Sequence, residues 1–183
     1  MSDLIRLKKK QFNFDQVCFV ASVIDLSLAE IKPVFRFICS TGKDIVATDA
    51  KRLFIAACEM PEGYYELIKR TKSEIILHKT ETEVNFPNWQ AVIPEKYETW
   101  TSHRYMPSIR ESSYARLSRK LPDQIGLSYR MLHELCVCGI FWKVFIPPEE
   151  SQYAPIPFES TSVINDRVLF KAFIMPLKLR EDD

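Results

Sequence analysis

One pattern constrains this chain most: an apolar stripe at helical spacing, followed by short β-branched and aromatic runs parted by turns, and the pattern occurs twice. In the first pass Val17, Val20, Ala21, Ile24 and Leu28 recur at the helical period, which predicts one helix from Asn13 to Glu30. Asn13 is placed to cap it, and Gln16 three residues later completes a capping box. Pro33 ends the helix. Val34 to Ile38 reads as a strand, Ser40-Thr41-Gly42-Lys43 as a turn, and Asp44 to Val46 as the start of the returning strand. Leu53 to Cys58 is a further strand, stopped by Met60-Pro61-Glu62-Gly63. Tyr64 to Lys69 and Glu74 to Lys79 form a hairpin around Thr71-Lys72-Ser73.

In the second pass Ser128 caps a helix carrying Met131, Leu132 and Leu135, and Gly139 closes it. A strand from Ile140 to Ile146 runs into Pro147-Pro148, a proline-rich stretch covers Ala154 to Phe158, and a last strand runs from Arg167 to about Leu177. Between the two passes the chain is polar, with a short helix from Ser112 to Leu121 that places Tyr114, Leu117 and Leu121 on one face. The fold class expected is α+β: two halves, each a helix on an antiparallel sheet, with pseudo-symmetry but no evident sequence identity between them.

Composition removes several function classes. With 46% hydrophobic and 27% charged residues the chain has the makeup of a folded protein. Its longest apolar run, Val17 to Ile24, is far short of the ~20 residues of a membrane span, so no membrane partner is expected. Arg6 and Lys8 to Lys10 are followed by no apolar signal core, and five cysteines, an odd number, suit a reducing compartment; both point to the cytoplasm. The four glycines, Gly42, Gly63, Gly126 and Gly139, lie too far apart for a dinucleotide fingerprint or a P-loop, and no G-x-S-x-G elbow is present. Cys136 and Cys138 with His133 match no standard zinc spacing, and read as buried apolar thiols at a helix end. His78, His103 and His133 have no evident Ser or Asp partner. No cofactor, metal or catalytic residue is assigned, and an enzyme is not expected.

Three segments carry a resemblance. They are Val46-Ala47-Thr48-Asp49-Ala50-Lys51-Arg52-Leu53, then Phe86-Pro87-Asn88-Trp89-Gln90-Ala91-Val92-Ile93-Pro94, then Phe173-Ile174-Met175-Pro176-Leu177-Lys178-Leu179. Each resembles a segment of the bacterial DNA polymerase III beta subunit, the sliding clamp, and their order is the same. Asp123 to Ser128, opening a helix, is similar to the start of that family's final helix. The resemblance implies a single clamp-like domain over 12–183, with a front half 12–94, a connector 95–122 and a back half 123–183, preceded by a basic tail 1–11.

In that family the three motifs converge on a hydrophobic cleft that binds short linear peptides of polymerases and other DNA-handling proteins. The resemblance therefore implies a cleft of Thr48, Arg52, Leu53, Pro87, Val92, Met175, Pro176, Leu177, Lys178 and Leu179. Thr48 and Arg52 would anchor a peptide's polar groups, and the others would form apolar walls and a rim. The departures are Ala50-Lys51 for the family's Gly-His, Ala91 where a basic residue is frequent, and Leu177-Lys178 for Met-Arg.

A ring around DNA would need helices bearing Lys and Arg toward phosphate. Residues 13–30 contain Asp15, Asp25 and Glu30 and no Lys or Arg. The connector is the better candidate, with Arg110, Arg116, Arg119 and Lys120 as the residues to contact double-stranded DNA. Two readings follow: a clamp-like replication or repair accessory protein that associates with DNA, in several copies if a ring is to close; or a clamp-fold adaptor or decoy that binds peptides and does not encircle DNA.

Overall fold

The computed structural model describes residues 4–81, 83–105, 110–135, 141–161 and 168–179. The chain divides into two compact units, Met1–Pro87 and Asn88–Asp183.

The first unit is an antiparallel sheet with a helix on it. Its strands are β1 (Leu4–Lys8), β2 (Phe37–Ser40), β3 (Asp44–Thr48), β4 (Arg52–Ala57), β5 (Gly63–Arg70) and β6 (Glu74–Thr80). They run in the order β1-β6-β5-β2-β3-β4. The hairpins expected from turn chemistry are present: Cys39 pairs with Val46 across β2 and β3, and Leu67 with Leu77 across β5 and β6. Gly42 takes the positive φ, +86°, that the first turn requires. Helix α1 (Phe14–Ala21) lies against β3 and β4 and buries Val17, Phe19 and Val20, and the Phe19 ring stacks on Phe54 at 4.6 Å. That buried apolar face holds helix and sheet together.

Three local expectations are corrected here. The single helix from Asn13 to Glu30 is two: α1, then α2 (Leu26–Ile31). The Ser22 hydroxyl donates to the Phe19 carbonyl at 2.6 Å, and Asp25 Oδ1 accepts from the Ser27 and Leu28 amides at 3.0 and 3.4 Å. Short polar side chains that bond nearby backbone end one helix and cap the next. The capping box is not formed either: Asn13 sits at φ 68° with no side-chain cap bond, and its Nδ2 donates to Glu59 O at 3.1 Å. The strand expected from Val34 begins at Phe37, because Pro33–Arg36 is a 3-10 turn with Pro at its start.

The basic segment read as a tail is an edge strand. Arg6 pairs with Ile76 and Lys8 with Glu74, and Arg6 Nε lies 3.6 Å from Glu74 Oε1. Its alternation, Leu4, Arg6 and Lys8 outward and Ile5 and Leu7 half-buried, is that of a strand with one covered face.

The second unit repeats the plan. Its elements are β7 (Thr101–Tyr105), α3 (Arg110–Ser118), β8 (Ile125–Gly126), α4 (Tyr129–His133), β9 (Trp142–Ile146), β10 (Ile156–Thr161), β11 (Val168–Ile174) and β12 (Leu177–Lys178). Among the described residues β11-β10-β9-β7 form one antiparallel sheet, and β12 pairs with β8 in a separate ribbon. Trp142, Phe145, Phe158, Phe173 and Leu132 are fully buried, and Trp142 Nε1 donates to Leu135 O at 3.3 Å. The short connector helix is present, with Leu117 and Leu121 buried and the Tyr114 hydroxyl donating to Leu127 O at 2.8 Å.

Strands β7 and β10 were not anticipated. The proline-rich stretch is strand because Pro157 sits near its beginning, opposite Phe173, whereas pairing with β9 starts only at Phe158 opposite Val144. The missing N–H therefore removes no bond toward β9. Ser128 precedes α4 without a side-chain cap bond. Gly139, Ile140 and Arg167 fall outside the described residues. Two units, each a helix on an antiparallel sheet, is the α+β architecture expected from the chain.

Candidate functional site

In the first unit the residues named for a cleft converge on the β3–β4 turn. Thr48 and Leu53 are cross-strand partners, and both are buried. The Thr48 hydroxyl donates to Arg52 O at 2.7 Å and accepts from Ala50 N at 3.1 Å. Ala50 adopts φ 72°, the left-handed conformation that glycine takes at no steric cost. Asp49 Oδ1 accepts from the Lys51 and Arg52 amides at 2.9 and 2.7 Å. Its Oδ2 accepts from Arg52 Nε at 2.9 Å and from Nη2 at 2.6 Å.

Arg52 Nη2 also reaches Val23 O at 3.5 Å, while Arg70 Nη1 donates to Ala21 O at 2.6 Å. The carbonyls at the end of α1 thus receive two guanidinium groups, where the helix dipole favours positive charge. The groups read as polar anchors for a peptide are engaged inside this unit, in the turn and at the helix end. Sequence gave no sign of that second role, because Val23 and Ala21 are remote along the chain. Pro87 closes the unit half-buried, next to Phe86, whose ring lies 5.9 Å from that of Tyr64.

In the second unit the named residues are on the surface. Val92 is 43% exposed, Met175 36%, Leu177 46% and Leu179 40%, a set of large apolar side chains facing water. Pro176 is half-buried and Lys178 exposed. Strand pairing explains why three of them face one way. Leu177 pairs with Gly126, Lys178 with Ile125, and Leu179 N donates to Gln124 O at 3.0 Å, so the extended pairing runs on past β12. A Cβ placed on Gly126 would meet Leu179 Cδ2 at 3.2 Å, so Leu179 lies over the same face on which Leu177 faces Gly126. Residues two apart in an extended chain share a face, which brings in Met175. The missing side chain at Gly126 leaves a shallow apolar recess beneath the two leucines.

The sequence named Val92 without showing what holds it. The segment from Asn88 to Lys96 contains the 3-10 turn Trp89–Val92, and none of its residues is buried. Tyr97 follows, 3% exposed, with its ring edge-on to Phe145 and Phe173 at 5.2 and 5.6 Å. Its hydroxyl donates to Glu159 Oε1 at 2.6 Å and accepts from Lys171 Nζ at 3.0 Å. Burial, and then the bond to the Glu159 carboxylate, push the phenol up to about 12.

The basic candidates belong to the same unit. Arg110 opens α3; Arg116, Arg119 and Lys120 are exposed on and just beyond it. Lys120 also borders two open clefts of about 450 and 530 Å³ on either side of Pro147, together with Asp123, Glu149 and Glu150. Those carboxylates dilute the positive field there. Among the described residues no group of three or more His, Cys, Asp and Glu side chains could hold a metal ion, and no helix is long and apolar enough to cross a membrane. Cys136 and Cys138 lie outside the described residues.

No protein-family profile and no curated protein sequence matches this chain. Solved structures do. A beta clamp from H. pylori in complex with 5-chloroisatin superposes with TM-score 0.59 at 13% identity, over 97% of this chain and 66% of its own. The DNA polymerase III beta chain of Streptococcus pneumoniae gives 0.60 at 14% identity, over 98% and 66%. The DnaN sliding clamp of Bartonella birtlesii, bound to griselimycin, gives 0.58 at 13% identity, over 96% and 66%. The match thus takes in nearly all of this chain and just under two thirds of each of the other chains. This chain has the fold of the DNA polymerase III beta sliding clamps.

Proposed function

We propose that this protein is a clamp-like accessory factor of DNA replication or repair that binds short extended peptides of polymerase-type partners. The observation that carries this reading is the exposed apolar face of Met175, Leu177 and Leu179 over Gly126, on a chain with the clamp fold. Leu and Met side chains in water cost free energy that a partner's Leu or Phe recovers by covering them. An extended peptide presents anchors two residues apart, which matches the spacing of that face. Val92 adds a fourth apolar contact from the second unit, and Lys178 supplies a charge at the rim. The chemistry is binding: an apolar recess bordered by one amine offers adhesion and orientation to a peptide.

The test is fluorescence anisotropy of a labelled six-residue peptide carrying Leu and Phe two positions apart. The full chain should bind it saturably. Replacing either anchor of the peptide by Ala, or Leu177 by Ser, should weaken binding. Equal anisotropy for the native and anchorless peptides would refute the proposal.

A second reading, contact with double-stranded DNA, is favoured by the exposed Arg116, Arg119 and Lys120 along one connector segment. The helices of the first unit argue against that unit as the DNA surface: α1 and α2 contain Asp15 and Glu30, with Asp25 capping α2, and no Lys or Arg. Peptide binding with no measurable retention on DNA at low salt identifies the adaptor form of the function.

A further inference from the structure

We propose that Tyr97 is the positioning residue of the peptide site, fixing the Val92 segment to the strand that leads into Met175; this rests on the peptide-binding function proposed above. Of residues 88–97, only Tyr97 is buried. The 3-10 turn that bears Val92 has no anchor of its own, so its place on the second unit depends on the next residue that has one. Tyr97 is that residue, five positions on.

Every group that holds Tyr97 lies on the sheet, and two of them lie on β11. Lys171 donates to its hydroxyl at 3.0 Å, and the Phe173 ring meets it edge-on at 5.6 Å. Glu159 on β10 accepts from the hydroxyl at 2.6 Å and is the cross-strand partner of Lys171, with the two charges 2.9 Å apart. Phe145 on β9 closes the other side of the ring. Two residues after Phe173 the chain reaches Met175, the first residue of the exposed apolar face. The tyrosine therefore ties the segment carrying one apolar contact to the strand that continues into the other three. The hydroxyl bonds are charge-assisted on both sides, which makes them directional as well as strong. The ring contacts alone leave the segment free to pivot about the ring.

The role separates from general stability in a double-mutant cycle read by anisotropy of the Leu- and Phe-bearing peptide on the full chain. Tyr97→Phe keeps the ring in its aromatic pocket and removes only the hydroxyl, so the fold persists, as near-ultraviolet circular dichroism would confirm. It should weaken peptide binding about fivefold, the effect of losing one directional hydrogen bond. In a Val92→Ala background the same substitution should have almost no further effect, since the contact that it positions is gone. Native affinity in Tyr97→Phe, or an equal loss in both backgrounds, would overturn the positioning role and leave the peptide-binding function standing. Absence of binding by the unaltered chain would overturn both.

Discussion

Arg52 and Asp49 bind each other across the β3–β4 turn through two hydrogen bonds to a single carboxylate oxygen, at 2.9 and 2.6 Å, with both residues less than a tenth exposed. The other carboxylate oxygen holds two backbone amides, so one side chain organises the whole turn. Removing one partner of a buried pair leaves a charge with little solvent. Asp49→Ala should therefore cost about 3 kcal/mol or more in urea denaturation, far beyond a surface substitution. A loss under about 1 kcal/mol would show that water replaces the carboxylate.

The exposed apolar face should behave oppositely. Leu177→Ser and Met175→Ala remove side chains already in water, so thermal unfolding should hardly move, while peptide affinity should fall by about 1–3 kcal/mol. Gly126→Val fills the recess beneath Leu177 and Leu179, and should weaken the peptide while leaving the second unit folded. Calorimetric titration beside a melting curve separates the two effects.

Alkaline pH should weaken the fold through two groups. Burial and the nearby Asp44 and Glu59 carboxylates push the Cys58 thiol up to about 12 from its ordinary 9.0, and Tyr97 stands at about 12 against 10.0. Both groups hold their protons more tightly folded than unfolded, so their contribution is intact below pH 9 and falls as pH rises toward 12. Stability measured across that window should decline, and Cys58→Ala should flatten its lower part. In absorbance at 295 nm one tyrosine should ionise well after the surface tyrosines.

If the connector touches DNA, charge removal should show in the salt dependence. Arg119→Ala with Lys120→Ala should reduce the slope of log affinity against log salt by about 2. Peptide binding should be unchanged, since neither residue lies on the apolar face. An unaltered slope would leave the adaptor reading.

Asp25 gives a local check on the broken helix. As the cap of α2 it satisfies two backbone amides, and Asp25→Ala should cost about 1 kcal/mol. Ser22→Ala should not fuse α1 with α2, because the second helix would keep its own cap.

How much was legible depended on the range of the interaction. The hairpins around Gly42 and Thr71 were readable because a turn is specified by the few residues within it: Thr71 Oγ1 accepts from Ser73 and Glu74 and donates back to Glu74 O. The break between α1 and α2 was missed because the apolar period runs unchanged from Val17 to Leu28, and periodicity registers a buried face without registering a cap. β10 was missed because Pro157 reads as a breaker unless its unpaired side is known. The basic N-terminal segment looked like a solvated tail because only β6 makes it a strand.

The chain's own residue order determined the α+β class, the local hairpins and the three clamp-type motifs, all of which rest on contacts within a few residues or on a repeated period. Tertiary structure alone decided what the polar groups of those motifs face. Arg52 meets a carbonyl 29 residues away, and Tyr97 meets a carboxylate 62 residues away. Such pairings depend on which buried charge finds which partner once the sheet has formed, and no local pattern encodes that choice.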